Sequence, residues 1–116
     1  RANAMADVSE WEITPGEVKA KLDAGEAVFV LDCRQPEEHA TASVDAAELI
    51  PMGDVPNRLY ELEEHLDGPV VVMCHHGQRS LQVAAFLKQQ GFTDVKSMAG
   101  GIDRWSREVD PTVPRY

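Results

Sequence analysis

Two uninterrupted apolar runs stand out along the chain, AVFVL from Ala27 to Leu31 and VVVM from Val70 to Met73. Runs of this length without polar alternation predict short strands covered on both faces. Further short strands are predicted for Ala47 to Ile50, closed by Pro51, and for Thr93 to Met98. Between the strands the apolar spacing changes to three and four. Thr14-Pro15 followed by Glu17 supplies a capping hydroxyl, a first-position proline and a first-turn acid, so a helix is predicted from there to about Ala24, with Gly25 as its stop. Gln35-Pro36-Glu37-Glu38 opens a second, short helix. Leu59, Leu62 and Leu66 predict an amphipathic helix that Gly68-Pro69 breaks. Leu81, Ala84, Ala85 and Leu87 or Lys88 predict another from about Arg79 to Gln90, ended by Gly91. Gly100-Gly101 turns the chain into a last helix carrying Ile102 and Trp105. The tail at 110–116, DPTVPRY, holds two prolines and is expected to lie extended on the surface or to be mobile.

Strands alternating with helices predict an α/β fold with a parallel sheet covered on both faces, in which ligands bind beyond the carboxyl ends of the strands. At 116 residues the chain fits one domain, expected over 5–116, with residues 1–4 (RANA, before Met5) reading as an expression-tag remnant. There is no internal repeat. No apolar run approaches the ~20 residues that cross a bilayer, and no signal-peptide pattern is visible, so no membrane association is expected. Two cysteines are too few for a disulfide framework, which makes a reducing cytoplasm the expected compartment. The net charge of −9 argues against nucleic acid as a partner and requires local donors wherever an anion binds.

Those donors are found in CHHGQRS, Cys74 to Ser80, where the valine run hands over to a helix. A thiolate is the reactive form of cysteine, and a helix N-terminus favours it through unsatisfied N–H groups and the positive end of the dipole. Gly77 permits a tight turn with amides facing inward, Arg79 adds a permanent charge and Ser80 a hydroxyl. Successive inward amides make an anion-binding nest. Cys74 is therefore a candidate nucleophile; the alternative is an inert core cysteine followed by a capped turn.

CHHGQRS, the earlier LDCRQPEEH and the later GGIDRW together resemble the rhodanese family of sulfurtransferases, in the family's order and over nearly the whole chain after Trp11. The resemblance implies a five-stranded parallel sheet flanked by helices. It implies that Cys74 is the nucleophile, accepting a sulfane sulfur as a persulfide, with Arg79 beside it. His75, His76, Gly77, Gln78 and Ser80 then line the substrate cradle. The substrates would be a small anionic sulfur donor such as thiosulfate or a persulfide, and a thiol or cyanide acceptor; no cofactor is implied. One departure is that many relatives read Gly-His-Ile-x-Gly-Ala where this chain has Ala42-Ser43-Val44-Asp45-Ala46-Ala47. The ending EVDPTVPRY is similar to rhodanese domains of cofactor pathways, which adds a sulfur-carrier or cofactor-biosynthesis protein as an expected partner.

Cys33 is either a resolving thiol for Cys74 or a buried substitute for the valine of the family's Asp-Val-Arg pattern. Asp32 and Arg34 are expected to tie the strand end to neighbouring loops, with Arg34 pairing Glu37 or Glu38. His39 and His65 read as surface residues, and Met73, Phe86 and Trp105 as core. Adjacent histidines beside one cysteine do not have the spacing of a zinc site, so no metal is expected. Two other functions fit part of the pattern: a phosphatase, whose related loops read Cys-x5-Arg against Cys-x4-Arg here, and a non-catalytic regulatory module, which typically lacks the cysteine.

Overall fold

The structure, a computed structural model, describes residues 10–116; the tag reading of residues 1–4 lies outside them. In chain order the elements are β1 (Glu12–Ile13), α1 (Pro15–Asp23), β2 (Phe29–Asp32), α2 (Pro36–Thr41), β3 (Ala47–Leu49), two 3-10 segments (Met52–Glu61 and Glu63–His65), β4 (Pro69–Met73), α3 (Gln78–Gln89), β5 (Asp94–Met98) and α4 (Gly101–Glu108). The five strands form one sheet in the order β1-β5-β4-β2-β3, every pair parallel. This is the expected α/β architecture.

The valine run shows why helices are needed on both faces. Val70 and Val72 enter one apolar cluster with Leu62 and with Val83, Ala84 and Leu87 of α3. Val71 and Met73 enter the other with Val18 of α1 and with Ile102 and Trp105 of α4. Each fully covered Val, Leu or Met side chain contributes roughly 1.5–3 kcal/mol from removal of apolar surface from water. Phe86 is only partly buried against the first cluster. Helix α1 begins as its sequence predicts: Glu17 N donates to Thr14 Oγ1 (3.1 Å), and Thr14 N donates to Glu17 Oε1 (2.9 Å).

The structure departs from the sequence pattern, or adds to it, at three places. Strand β1 was not visible in the pattern; its two residues pair Glu12 with Ser97 and Ile13 with Met98. The helix expected around Leu59, Leu62 and Leu66 is instead the pair of 3-10 segments, with Pro56 inside the first. Of the three leucines only Leu62 is buried, while Leu66 is exposed. A proline N–H is missing from any i→i−4 ladder, and the tighter turn tolerates it in short pieces. The tail is docked: Val113 is buried in the second cluster, and its carbonyl accepts a hydrogen bond from Ser106 Oγ at 2.6 Å.

This strand order puts β4 at the centre, with the carboxyl ends of β2 and β5 on either side. Cys74 follows β4 directly, and Cys33 follows β2 in the neighbouring register, its amide donating to the Met73 carbonyl at 3.0 Å.

Candidate active site

Cys74 is 1% exposed, and two amides and a hydroxyl surround its sulfur. Gly77 N lies 3.1 Å from Sγ, Ser80 N 3.4 Å and Ser80 Oγ 3.3 Å. Gly77 makes this possible with φ +99°, a left-handed conformation that L side chains rarely adopt, and a Cβ there would stand 3.1 Å from Gly100 N. It caps α3, so the first amides of that helix face the sulfur.

The start of the same loop is held from outside by a second helix. Ile102 N, in the first turn of α4, donates to the Cys74 carbonyl (2.9 Å), and Asp103 N donates to the His75 carbonyl (3.1 Å). These two bonds fix the loop immediately before Gly77, whose amide faces the sulfur. Gly101 lets α4 come this close, since a Cβ on it would lie 2.4 Å from the His75 oxygen and 2.5 Å from that of Cys74.

Ser80 Oγ continues to Ser97 Oγ at 2.7 Å, both residues fully buried, and Ser97 Oγ reaches the Gly77 carbonyl at 3.5 Å. The two hydroxyls can run in either direction: from a thiol out to the Gly77 carbonyl, or from Ser97 through Ser80 towards a thiolate. Ser97 was not identified from sequence. The available signal was a small polar residue at the buried phase of a strand, which carries no specific chemistry.

Arg79 is placed differently from expectation. Its Nη1 and Nη2 donate to Glu38 Oε2 and Oε1 at 2.8 and 2.9 Å, so its fork is occupied by a carboxylate of α2 rather than left free. Glu38 also accepts from Gln35 N (3.0 Å) and from the Tyr116 hydroxyl (2.9 Å). The Arg79 guanidinium, foremost, brings the Glu38 carboxyl down to about 2. Arg34, expected to pair with Glu37 or Glu38, pairs with Asp32 instead (Nη2 to Oδ2 2.7 Å, Nε to Oδ1 2.9 Å) and donates to the Tyr116 hydroxyl (2.8 Å). Only Cys33 separates Asp32 from Arg34 at the strand end, so the fork folds back over its own strand. Burial opposes the charge on Asp32, but the bonds from Arg34 and His39 outweigh it and hold the carboxyl below its ordinary range. His39 is therefore half-buried with Nδ1 3.0 Å from Asp32 Oδ2, and His65 stacks on Phe29 at 3.9 Å; neither is a free surface residue.

His75 is half-buried and stacks on the Tyr116 ring at 3.9 Å, and it lies 3.8 Å from the His76 ring. Its Nε2 is buried with no hydrogen-bond partner among the described residues, and burial, then the charge of His76, pushes its pKa down. His76 and Gln78 present exposed side chains, so around the sulfur their part of the loop is backbone. Cys33 is fully buried, and burial, foremost, pushes its thiol up to about 12; it is a free cysteine, as is Cys74. Among the described residues no group of His, Cys, Asp and Glu is arranged to hold a metal ion.

The family model for the rhodanese-like domain matches residues 14–108. The chain belongs to the rhodanese-like family. The putative sulfurtransferase YtwF of Bacillus subtilis is 35% identical over 100 residues, covering 86% of this chain and 94% of that protein. Adenylyltransferase and sulfurtransferase MOCS3-1 of Zea mays is 34% identical over 109 residues, 90% of this chain but 23% of that protein. A rhodanese-like domain protein from Staphylococcus aureus, solved by crystallography, superposes with a TM-score of 0.77 at 30% identity, covering 90% of this chain and 97% of that one. Within a rhodanese-like fold, the residue at the carboxyl end of the central strand here is Cys74. Among the described residues no helix is long and apolar enough to cross a membrane.

Proposed function

We propose that this rhodanese-like chain is a sulfurtransferase that carries its sulfur on Cys74. The observation that supports this best is the ring of two amide donors and one hydroxyl within 3.4 Å of a sulfur at the end of the central strand. In the first step the Cys74 thiolate attacks the outer sulfur of a donor such as thiosulfate. A new S–S bond forms on Cys74, the donor's own S–S bond breaks, and its electron pair leaves with sulfite. In the second step an acceptor thiolate or cyanide attacks the outer sulfur of that persulfide, taking it as a persulfide or as thiocyanate and returning the Cys74 thiolate. The inward amides of Gly77 and Ser80 stabilise the anion in both states, and their orientation is fixed beforehand. Arg79 contributes by holding the loop to α2. Cys33, buried and held protonated, is a packing residue. The match to part of a protein named as both adenylyltransferase and sulfurtransferase supports a protein acceptor, a sulfur carrier of a cofactor pathway, alongside small thiols.

Cys74→Ser is expected to abolish thiosulfate:cyanide transfer and the ~32 Da adduct seen by mass spectrometry after incubation with thiosulfate. Cys33→Ser is expected to keep most of the activity and the adduct. A Cys33 variant without the adduct, beside an active Cys74 variant, would overturn the assignment.

A further inference from the structure

Two acids and two arginines form one connected network beside the loop, Asp32 and Arg34 fully buried and Glu38 and Arg79 partly exposed at its rim. Asp32 takes the fork of Arg34, Glu38 takes the fork of Arg79, and the Tyr116 hydroxyl joins the halves by accepting from Arg34 and donating to Glu38. The charges of these four residues sum to zero. His75 and Tyr116, stacked face to face, close the same side with uncharged rings, since burial disfavours the imidazolium. The Arg79–Glu38 pair is partly exposed, at 33% and 21%, and Arg79 lies close enough to Cys74 to interact with its charge. A chain of net charge −9 adds a repulsive background. A site built to draw in a small dianion would leave this arginine unpaired.

From this arrangement we infer that Glu38 is a specificity-determining residue: by occupying the Arg79 fork it leaves the rim without net positive charge and favours sulfur donors bearing one negative charge or none, such as thiosulfonates and organic persulfides, over dianionic thiosulfate. The inference rests on the sulfurtransferase reading above. Tyr116 is a positioning residue in the same device, since its hydroxyl holds Glu38 over the guanidinium and acts on the donor only through it.

Alkylation of Cys74 reports the charge at the rim without any sulfur transfer, so it separates this inference from the proposed function. The rate with iodoacetate, an anion, is divided by the rate with neutral iodoacetamide. Glu38→Gln is expected to raise that ratio by about fivefold, the scale of one unit charge acting over about 4 Å through water. Arg79→Gln should lower it by a similar factor, and the double variant should return it close to the native value. The rise in Glu38→Gln should shrink as salt is added. Tyr116→Phe, which keeps the stacked ring and removes only the hydroxyl, should move the ratio in the same direction as Glu38→Gln by a smaller factor, and it serves if Glu38→Gln folds poorly. In steady-state assays with cyanide, kcat/KM for thiosulfate relative to methanethiosulfonate should rise about fivefold in Glu38→Gln, by the same electrostatic scale. An unchanged ratio in both Glu38→Gln and Tyr116→Phe would overturn the inference. So would equal slowing of both alkylating reagents, which would make the pair merely structural. If the ratio responds as expected but neither donor is turned over by the native protein, the sulfurtransferase reading fails and the charge device remains.

Discussion

At the level of single residues, the sulfur of Cys74 is served by one hydroxyl that is itself served by another. Ser97 lies 17 residues from Ser80 in sequence yet 2.7 Å from its oxygen. In the direction in which Ser97 donates to Ser80 and Ser80 to Cys74, the pair would supply a neutral donor to a thiolate. Ser97→Ala removes the far end, and a neutral hydrogen bond of this kind is worth about 1 kcal/mol. The alkylation rate of Cys74 with iodoacetamide at neutral pH is therefore expected to fall severalfold, with the fold retained by circular dichroism. An unaltered rate would mean the hydroxyl chain does not reach the sulfur. Nothing in a string of letters joins these two serines. The loop Cys-x-x-Gly-x-Arg-Ser could be read directly because its chemistry is local, whereas Ser97 comes from another strand and Glu38 from a helix 41 residues away from Arg79.

At the level of elements, the cradle is a contact between two helix starts. Helix α3 turns amides towards the sulfur, and α4 holds the carbonyls on the outside of the same loop. Gly101 is the point of closest approach, with φ +61° and two backbone oxygens within 2.5 Å of any added Cβ. Neither oxygen is the far end of a flexible side chain, so the backbone itself would have to move. Gly101→Ala is expected to cost about 1–3 kcal/mol of stability, the range for forcing an extra carbon into a packed site, and to depress Cys74 alkylation beyond what that stability loss explains. Denaturant titration alongside alkylation kinetics tests both. Sequence reading located the turn at Gly100-Gly101 and the helix after it, but not what the turn was for. It also located β2, β4, β5 and the helix starts, because continuous apolar runs and a capping threonine are strong local signals. Strand β1 escaped because two residues make no periodicity. The 3-10 segments depart from the expected helix because leucines spaced by three and four match the α period, which Pro56 keeps the backbone from adopting. The docking of the tail was hidden because Val113 and Tyr116 find their partners only in the folded molecule.

At the level of the whole molecule, the number of residues in the loop separates sulfur transfer from phosphate-ester hydrolysis. Cys74 to Arg79 spans six residues, one fewer than a Cys-x5-Arg loop. A transferring phosphoryl group needs room for three equatorial oxygens with entering and leaving atoms in line, whereas here the amides of Gly77 and Ser80 already stand at 3.1 and 3.4 Å from the sulfur. A single preparation is expected to turn over a sulfane-sulfur donor while leaving an aryl phosphate essentially untouched. Brisk phosphate release without sulfur transfer would reverse that reading. The grip of α4 on the loop also has a consequence in time. The carbonyls of Cys74 and His75 meet their amides only when residues 102 and 103 arrive, and Glu38 is fully clasped only when Tyr116 does. A chain emerging from the ribosome, or halfway through refolding, therefore has its cysteine long before it has a cradle. Until residues 102 and 103 have docked, the loop around that cysteine lacks the two amides that hold its carbonyls.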